Sequence, residues 1–141
     1  MTLPHAKLQS FRALVAPADA VVPANALARV RFELNSEALA DPRDICVPLS
    51  PLTVGSAELW LSDLPVACGE EDGLRYAENG EALFGHLRVA ATGDLPGLSC
   101  DIYPPIDRFM QARGYPQFLR AWTFPPHTNH GRAAPRRYRP L

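Results

Sequence analysis

The 141-residue sequence has few of the signals that announce a chemistry. Its three cysteines, Cys46, Cys68 and Cys100, are odd in number and far apart. No CxxC pair occurs, so neither a zinc site nor a disulfide framework is suggested. Three buried free thiols in a reducing compartment is the simplest account. The N-terminal stretch lacks the charged–apolar–small order of a signal peptide, and no apolar run reaches membrane-spanning length. A cytoplasmic protein with no membrane partner is the default expectation. No glycine-rich loop is present to cradle a phosphate. Ser50, Ser56, Ser62 and Ser99 lack the glycines of a nucleophile elbow. Internal repeats and low-complexity segments are absent. The net charge of −1 argues against general nucleic-acid binding.

What is present starts with length. A chain of 141 residues fits one domain and is long enough to bury its own core. Fifteen prolines, about twice the usual share, are spread along it. They imply short elements and fixed turns rather than a proline-rich linker. The near-zero charge hides an asymmetry: residues 1–107 carry a net −8, and residues 108–141 carry seven arginines and no acid, a net +7. Either the basic end meets an anionic ligand, or it lies against the acidic body or forms a solvated tail. Composition alone favours the second account.

Residues 1–26 lack a clean period and are broken by Pro4, Pro17 and Pro23; residues 8–15 read as a short strand or an extended arm. Residues 28–34 alternate, with Val30, Phe32 and Leu34 on one face and Arg29, Arg31 and Glu33 on the other, which predicts a half-buried strand. Residues 45–52 are apolar but cut by Pro48 and Pro51, as in an edge strand or loop. Residues 57–61 read as a strand, with 66–68 extending it beyond Pro65. Residues 69–73 read as an exposed acidic turn, holding the paired carboxylates Glu70, Glu71 and Asp72 with nothing to mark them for acid–base work. Residues 74–77 and 81–91 form the arms of a hairpin around Asn79-Gly80. Its second arm carries bulk on both faces and reads as a central strand. After a turn-rich connection at 93–99, Pro104 fits the first turn of a helix whose stripe is Ile106, Phe109 and Met110 and whose stop is Gly114. Short strands with one helix before the last strand predict an α+β fold: a small mixed or antiparallel sheet with one or two packed helices.

The stretch from residue 113 to 139 holds the most unusual chemistry. Residues 117–124 read as a strand rich in bulk, with Phe118, Leu119, Trp122 and Phe124. Pro125 and Pro126 stop it, and a polar loop with His127, Asn129 and His130 leads to Arg132, Arg136, Arg137 and Arg139. Such a run is either a wall of an anion-binding pocket or a core strand followed by a frayed tail. His127 and His130 are three apart, yet no third ligand is near in sequence, so exposed loop histidines are expected and no metal. Trp60 and Trp122 are expected in the core. The sharpest candidate is Arg137-Tyr138-Arg139, because a guanidinium fork matches a carboxylate bidentately and a tyrosine adds one donor.

Two blocks of residues resemble a known family. Tyr76, Glu78-Asn79-Gly80-Glu81 and Leu83-Phe84-Gly85 resemble the hairpin motif of the chorismatases. Gly114-Tyr115-Pro116, Leu119-Arg120, Trp122, Pro126, Asn129 and Arg137-Tyr138-Arg139 resemble a second run of the same family, in the same order and spacing. The resemblance covers roughly residues 57–139. The family includes chorismate-hydrolysing enzymes and 3-hydroxybenzoate synthases and is also described as pteridine-dependent deoxygenase-like.

The resemblance implies an N-terminal domain, an α+β unit distantly similar to Rid (YjgF-like) proteins, that shares a pocket with a C-terminal domain bearing the catalytic glutamate. It implies no metal and no organic cofactor. It implies a substrate-binding set of Arg137, Asn129, Arg139, Tyr138, Phe124 and Trp122 that grips a chorismate-like carboxylate. Four departures stand out. Pro104 and Pro105 are expected to shorten a helix that in the family begins earlier. The chain ends two residues after Arg139, so no counterpart of the catalytic glutamate is expected and no catalytic residue is assigned. Trp122-Thr123-Phe124 stands where the family has Trp-Asn-Tyr, removing a hydroxyl. Arg136 stands where the family prefers glutamate. The leading expectation is therefore a chorismatase-like N-terminal domain that contributes to binding and does not turn over substrate alone. The alternatives are an interaction module, docking on a separate catalytic domain or on a second copy, and a small Rid-like imine deaminase with an arginine holding the substrate carboxylate.

Overall fold

A computed structural model describes residues 11–34, 39–90 and 95–124. The chain divides into two units, Met1–Leu87 and Arg88–Leu141. The first unit holds the strands β1 (Phe11–Pro17), β2 (Ala26–Phe32), β3 (Asp44–Val47), β4 (Ser56–Ser62), β5 (Ala67–Glu71), β6 (Leu74–Glu78) and β7 (Leu83–Leu87). The second holds the helix α1 (Leu95–Ala112). The α+β class read from the sequence is therefore observed.

Among the described residues two sheets form, in the orders β1-β4-β2-β3 and β5-β6-β7. All pairings are antiparallel except β2 with β3, which run parallel. Leu27 bulges out of the β2–β4 ladder, between the pairs Ala26–Leu61 and Ala28–Trp60. Buried positions of this unit include the small residues Ala26, Ala28 and Ala77, each fully covered, beside Leu27, Val47, Ala57, Leu59 and Leu74. Alanine at these sites lets backbones approach closely, so the core is thin and depends on polar ties as well as apolar bulk.

The parallel pairing of β3 places Asp44 directly beside Arg29. Asp44 is 5% exposed. Its carboxylate accepts a two-pronged ion pair from Arg29, with Nε to Oδ1 at 3.2 Å and Nη2 to Oδ2. It also takes Arg31 Nε at 3.2 Å. Arg31 reaches on to Glu33 at 2.9 Å, and Arg29 Nη1 donates to the Ala20 carbonyl. The charged face of the alternating segment is thus a folded network and not simply a solvated face. Burying a carboxylate this deeply is tolerable only with such pairing.

Several ties fasten the smaller sheet to the larger one and to the segment that enters β3. The Trp60 ring packs against Phe11 and Phe84, each with centroids 5.7 Å apart. Asn79 Nδ2 donates to Ser62 Oγ at 2.9 Å. Arg75 Nη2 donates to the Ala40 carbonyl at 2.8 Å, and His86 Nε2 lies 2.9 Å from the Pro42 carbonyl. Arg75 and His86 are register partners across β6 and β7, so one rung of the small sheet holds the segment that enters β3.

Four expectations are corrected. The acidic stretch 69–73 is mostly strand β5, and only Asp72-Gly73 turns, both with positive φ as a two-residue hairpin requires. The same finding places 66–68 apart from β4, since Ala67 and Cys68 pair with β6. Strand β7 is not central but at the edge of its sheet; its bulk on both faces reflects Phe84 and His86 turned towards the larger sheet and Leu83 and Leu87 turned the other way. The cysteines are free but not all buried: Cys46 is half-buried, while Cys68, on an edge strand, and Cys100 are exposed.

In the second unit the helix starts at Leu95, not near Pro104, and carries Pro104 and Pro105 inside it. A proline is free of cost in a first turn because its missing N–H is not needed there. Here the turns N-terminal to it continue, so the Cys100 and Asp101 carbonyls lose their usual helical donors. The stripe is as expected: among the described helical side chains, Ile102, Ile106, Phe109 and Met110 are the less exposed. Gly114, at φ +82°, ends the helix, with Gly114 N donating to Gln111 O at 3.1 Å and Tyr115 N to Met110 O at 2.9 Å. This paired pattern is a Schellman stop, which needs a left-handed residue at that position.

Asp44→Ala leaves two half-buried guanidinium groups without their shared counter-charge. We expect a loss of about 3 kcal/mol, read as a lower urea midpoint at unchanged m-value. A shift indistinguishable from that of Asp19→Ala, a loop carboxylate, would contradict the network's role.

Candidate functional site

Of the six residues assigned to ligand binding, Trp122 and Phe124 lie among the described residues. Asn129, Arg137, Tyr138 and Arg139 lie outside them, as do His127 and His130. The described part of the site is the segment that follows the helix stop, residues 115–124.

The expected strand at 117–124 is not formed; these residues carry no regular secondary structure. Three of the segment's four bulky residues, Phe118, Trp122 and Phe124, keep a period of two, and Leu119 does not. Period alone does not make a strand, and among the described residues no ladder pairs with this segment. The chain leaves the helix cap through Pro116, whose carbonyl is 3.5 Å from Gln111 Nε2. Further on, the Thr123 hydroxyl lies 3.1 Å from the Tyr103 hydroxyl, which fastens the end of the segment to the middle of α1. The segment stays open to solvent: Trp122 is 51% exposed, Phe124 41% and Leu119 80%. Trp122 is therefore not a core residue, whereas Trp60 is half-buried between two phenylalanines.

Chemically, the segment offers aromatic faces, one guanidinium and two hydroxyls. The Arg120 guanidinium sits 5.6 Å from the centre of the Trp122 ring, within cation–π range. The described carboxylates of this unit, Asp101 and Asp107, are exposed. Such a set suits holding a planar anion better than transferring a proton. Among the described residues, no group of three or more His, Cys, Asp or Glu is placed to hold a metal ion. None of the described helices is long and apolar enough to cross a membrane.

Among the described residues, the strongest electrostatics lie in the first unit, and sequence reasoning missed them. Besides the Asp44 network, Asp41 and Arg43 form a pair at 2.8 Å, with Arg43 Nε also 3.0 Å from Asp41 Oδ1. Arg43 then donates to the Pro23 carbonyl at 2.7 Å. Hydrogen bonding from Arg43 holds the Asp41 pKa below the usual carboxylate value, against the opposing effect of burial. The bond to Asp41 in turn raises the Arg43 pKa. For Arg31, burial works against the charge, but attraction to Asp44 and Glu33 outweighs it and the pKa is raised. These groups fasten loops to strands. Their only sequence signals were the alternation of Arg29, Arg31 and Glu33 and the Asp41-Pro42 turn.

A carboxylate whose pKa is depressed by folding stabilises the fold above its unfolded value, about 4, and loses that contribution as pH falls through the folded value. Asp41→Asn should therefore be less stable than the unaltered chain at neutral pH, and the difference should shrink below about pH 4. Urea melts across that range check it; a gap independent of pH would contradict the pairing.

Comparison with known proteins gives a consistent result. Residues 58–141, more than half of the chain, match the family described as chorismatase FkbO/Hyg5-like, N-terminal. The chain is 32% identical over 76 residues to a 3-hydroxybenzoate synthase of Streptomyces hygroscopicus, covering 54% of this chain and 22% of that protein. It is 27% identical over 67 residues to a chorismatase of the same organism, covering 48% and 20%. The matched part thus spans about a fifth of those relatives. A chorismatase crystal structure shares the fold, with a TM-score of 0.62 at 18% identity over 75% of this chain and 34% of that one.

Proposed function

Because this chain belongs to the FkbO/Hyg5-like chorismatase family, matching its N-terminal domain, we propose that it serves as a chorismatase N-terminal domain and contributes the carboxylate-gripping half of a binding site. The observation that carries the reading is the extent of the family match. It runs through the helix stop, the aromatic segment and the arginine cluster, so it includes all six assigned residues. The curated relatives named 3-hydroxybenzoate synthase and chorismatase support a chorismate-like dicarboxylate as the ligand class.

In this reading Arg137 holds a ligand carboxylate through its planar fork, and Asn129, Tyr138 and Arg139 add donors. Trp122 and Phe124 flank the ring. Phe124 has no hydroxyl to donate, so the grip rests on the arginines. Binding, and not turnover, is the role assigned to these residues.

The exposed apolar run Phe118, Leu119, Trp122 and Phe124 favours a second reading. In it the same surface docks on a catalytic domain or a second copy of the chain. Mass by light scattering that rises with concentration supports self-association; a constant monomer mass opposes it.

Calorimetric titration of chorismate tests the first reading. Arg137→Ala removes charge-assisted bonds worth about 1.5–3 kcal/mol, so affinity should fall about 10- to 100-fold. Arg137→Lys, which keeps charge but not the fork, should fall between. Unchanged affinity in a folded Arg137→Ala chain would defeat the assignment.

A further inference from the structure

The Asn79-Gly80 linkage lies at the junction of the two sheets of the first unit. Asparagine followed by glycine is the sequence most open to self-modification, because glycine leaves the backbone nitrogen unhindered. The Gly80 nitrogen attacks Asn79 Cγ; the new C–N bond forms as Cγ–Nδ2 breaks. The leaving nitrogen takes the Gly80 proton and departs as ammonia. Water then opens the succinimide at either carbonyl, giving aspartate or isoaspartate at position 79.

The fold opposes the first step. Asn79 is 8% exposed. Its Oδ1 accepts from the Glu81 and Ala82 backbone N–H groups at 2.9 and 2.7 Å. Its Nδ2 donates to Ser62 Oγ at 2.9 Å. Its backbone N–H donates to the Ala82 carbonyl at 3.1 Å. Both ends of the side-chain amide are therefore held, and Cγ cannot swing towards the Gly80 nitrogen without breaking those bonds. The product also refits poorly. The Ser62 hydroxyl donates to the Leu64 carbonyl at 2.7 Å and accepts from Leu64 N at 3.0 Å. Its proton is already committed, so a carboxylate in place of the Asn79 amide would bring a buried oxygen anion against an oxygen that is not donating to it.

We infer that Asn79-Gly80 is a deamidation site kept closed by Ser62 and the hairpin, so that its modification records the opening of β6–β7 away from β4 and then keeps that junction weakened. Local opening of a hairpin is governed by its own free energy, and the modification rate scales with the open population.

Peptide mapping by mass spectrometry of the full chain, incubated at mildly alkaline pH in native buffer and in urea, reads the rate at position 79. The rate in native buffer should be at least about tenfold lower than in urea. Equal rates would overturn the inference. Ser62→Ala should deamidate faster than the unaltered chain in native buffer; a folded Ser62→Ala chain as slow as the original would overturn the part assigned to Ser62. Asn79→Asp, which mimics one product, should lower the thermal midpoint, and an unchanged midpoint would contradict the poor refit. This last arm does not depend on whether Ser62→Ala folds.

Discussion

The Asp44 carboxylate, shared by Arg29 and Arg31, is the interaction on which the first unit depends. It is buried on the end strand of a sheet whose buried positions include Ala26, Ala28 and Ala57. A thin core of that kind supplies little apolar area per residue, so register must be fixed by other means. The ion pair fixes it by matching Asp44 to Arg29 across a parallel pair of strands. The segment that enters β3 is held in addition by Asp41–Arg43, by Arg75 and by His86. Replacing the buried pair by apolar groups of the same volume is a physically sound alternative. What the charges add is a register that a slip of one residue would break.

The second unit follows another logic. A Schellman stop at Gly114 redirects the chain, and Pro116 keeps it from resuming the helix. The segment beyond it shows no strand pairing and presents Phe118, Leu119, Trp122 and Phe124 to solvent. Leaving that much aromatic surface uncovered has a free-energy cost, and surfaces of this kind are commonly covered by a ligand or a protein partner. Family membership makes a chorismate-like carboxylate the reading we favour.

Much of this was legible in the sequence. The alternation around Val30 and Phe32 became β2, residues 57–61 became β4, and Asn79-Gly80 lies in the turn between β6 and β7, with Gly80 at φ +87°. Gly114 ended the helix. What was not legible depends on non-local partners. Nothing in residues 41–47 announces that Asp44 will meet Arg29, because that pairing arises from a parallel crossover. Pro104 and Pro105 suggested a helix start, since local rules treat proline as a boundary. Residues 117–124 had the bulk of a strand, with Phe118, Trp122 and Phe124 in step at a period of two, but a strand also needs a non-local pairing partner, which local sequence does not reveal. The two motif blocks carried the family assignment because they combine turn glycines, aromatics and arginines in a fixed order, a pattern that composition does not produce by chance. Of the six residues proposed to bind ligand, only Trp122 and Phe124 have described positions, and both are open to solvent.

The chain has two tryptophans, and their surroundings differ: Trp60 is packed between Phe11 and Phe84, and Trp122 is exposed beside Arg120. Their indole N–H signals in a nitrogen–proton correlation spectrum therefore report two separate places. Adding chorismate should move the Trp122 signal saturably and leave that of Trp60 in place. If the Trp122 signal does not move, or only that of Trp60 does, the aromatic segment is not the wall of a carboxylate site and the central claim fails.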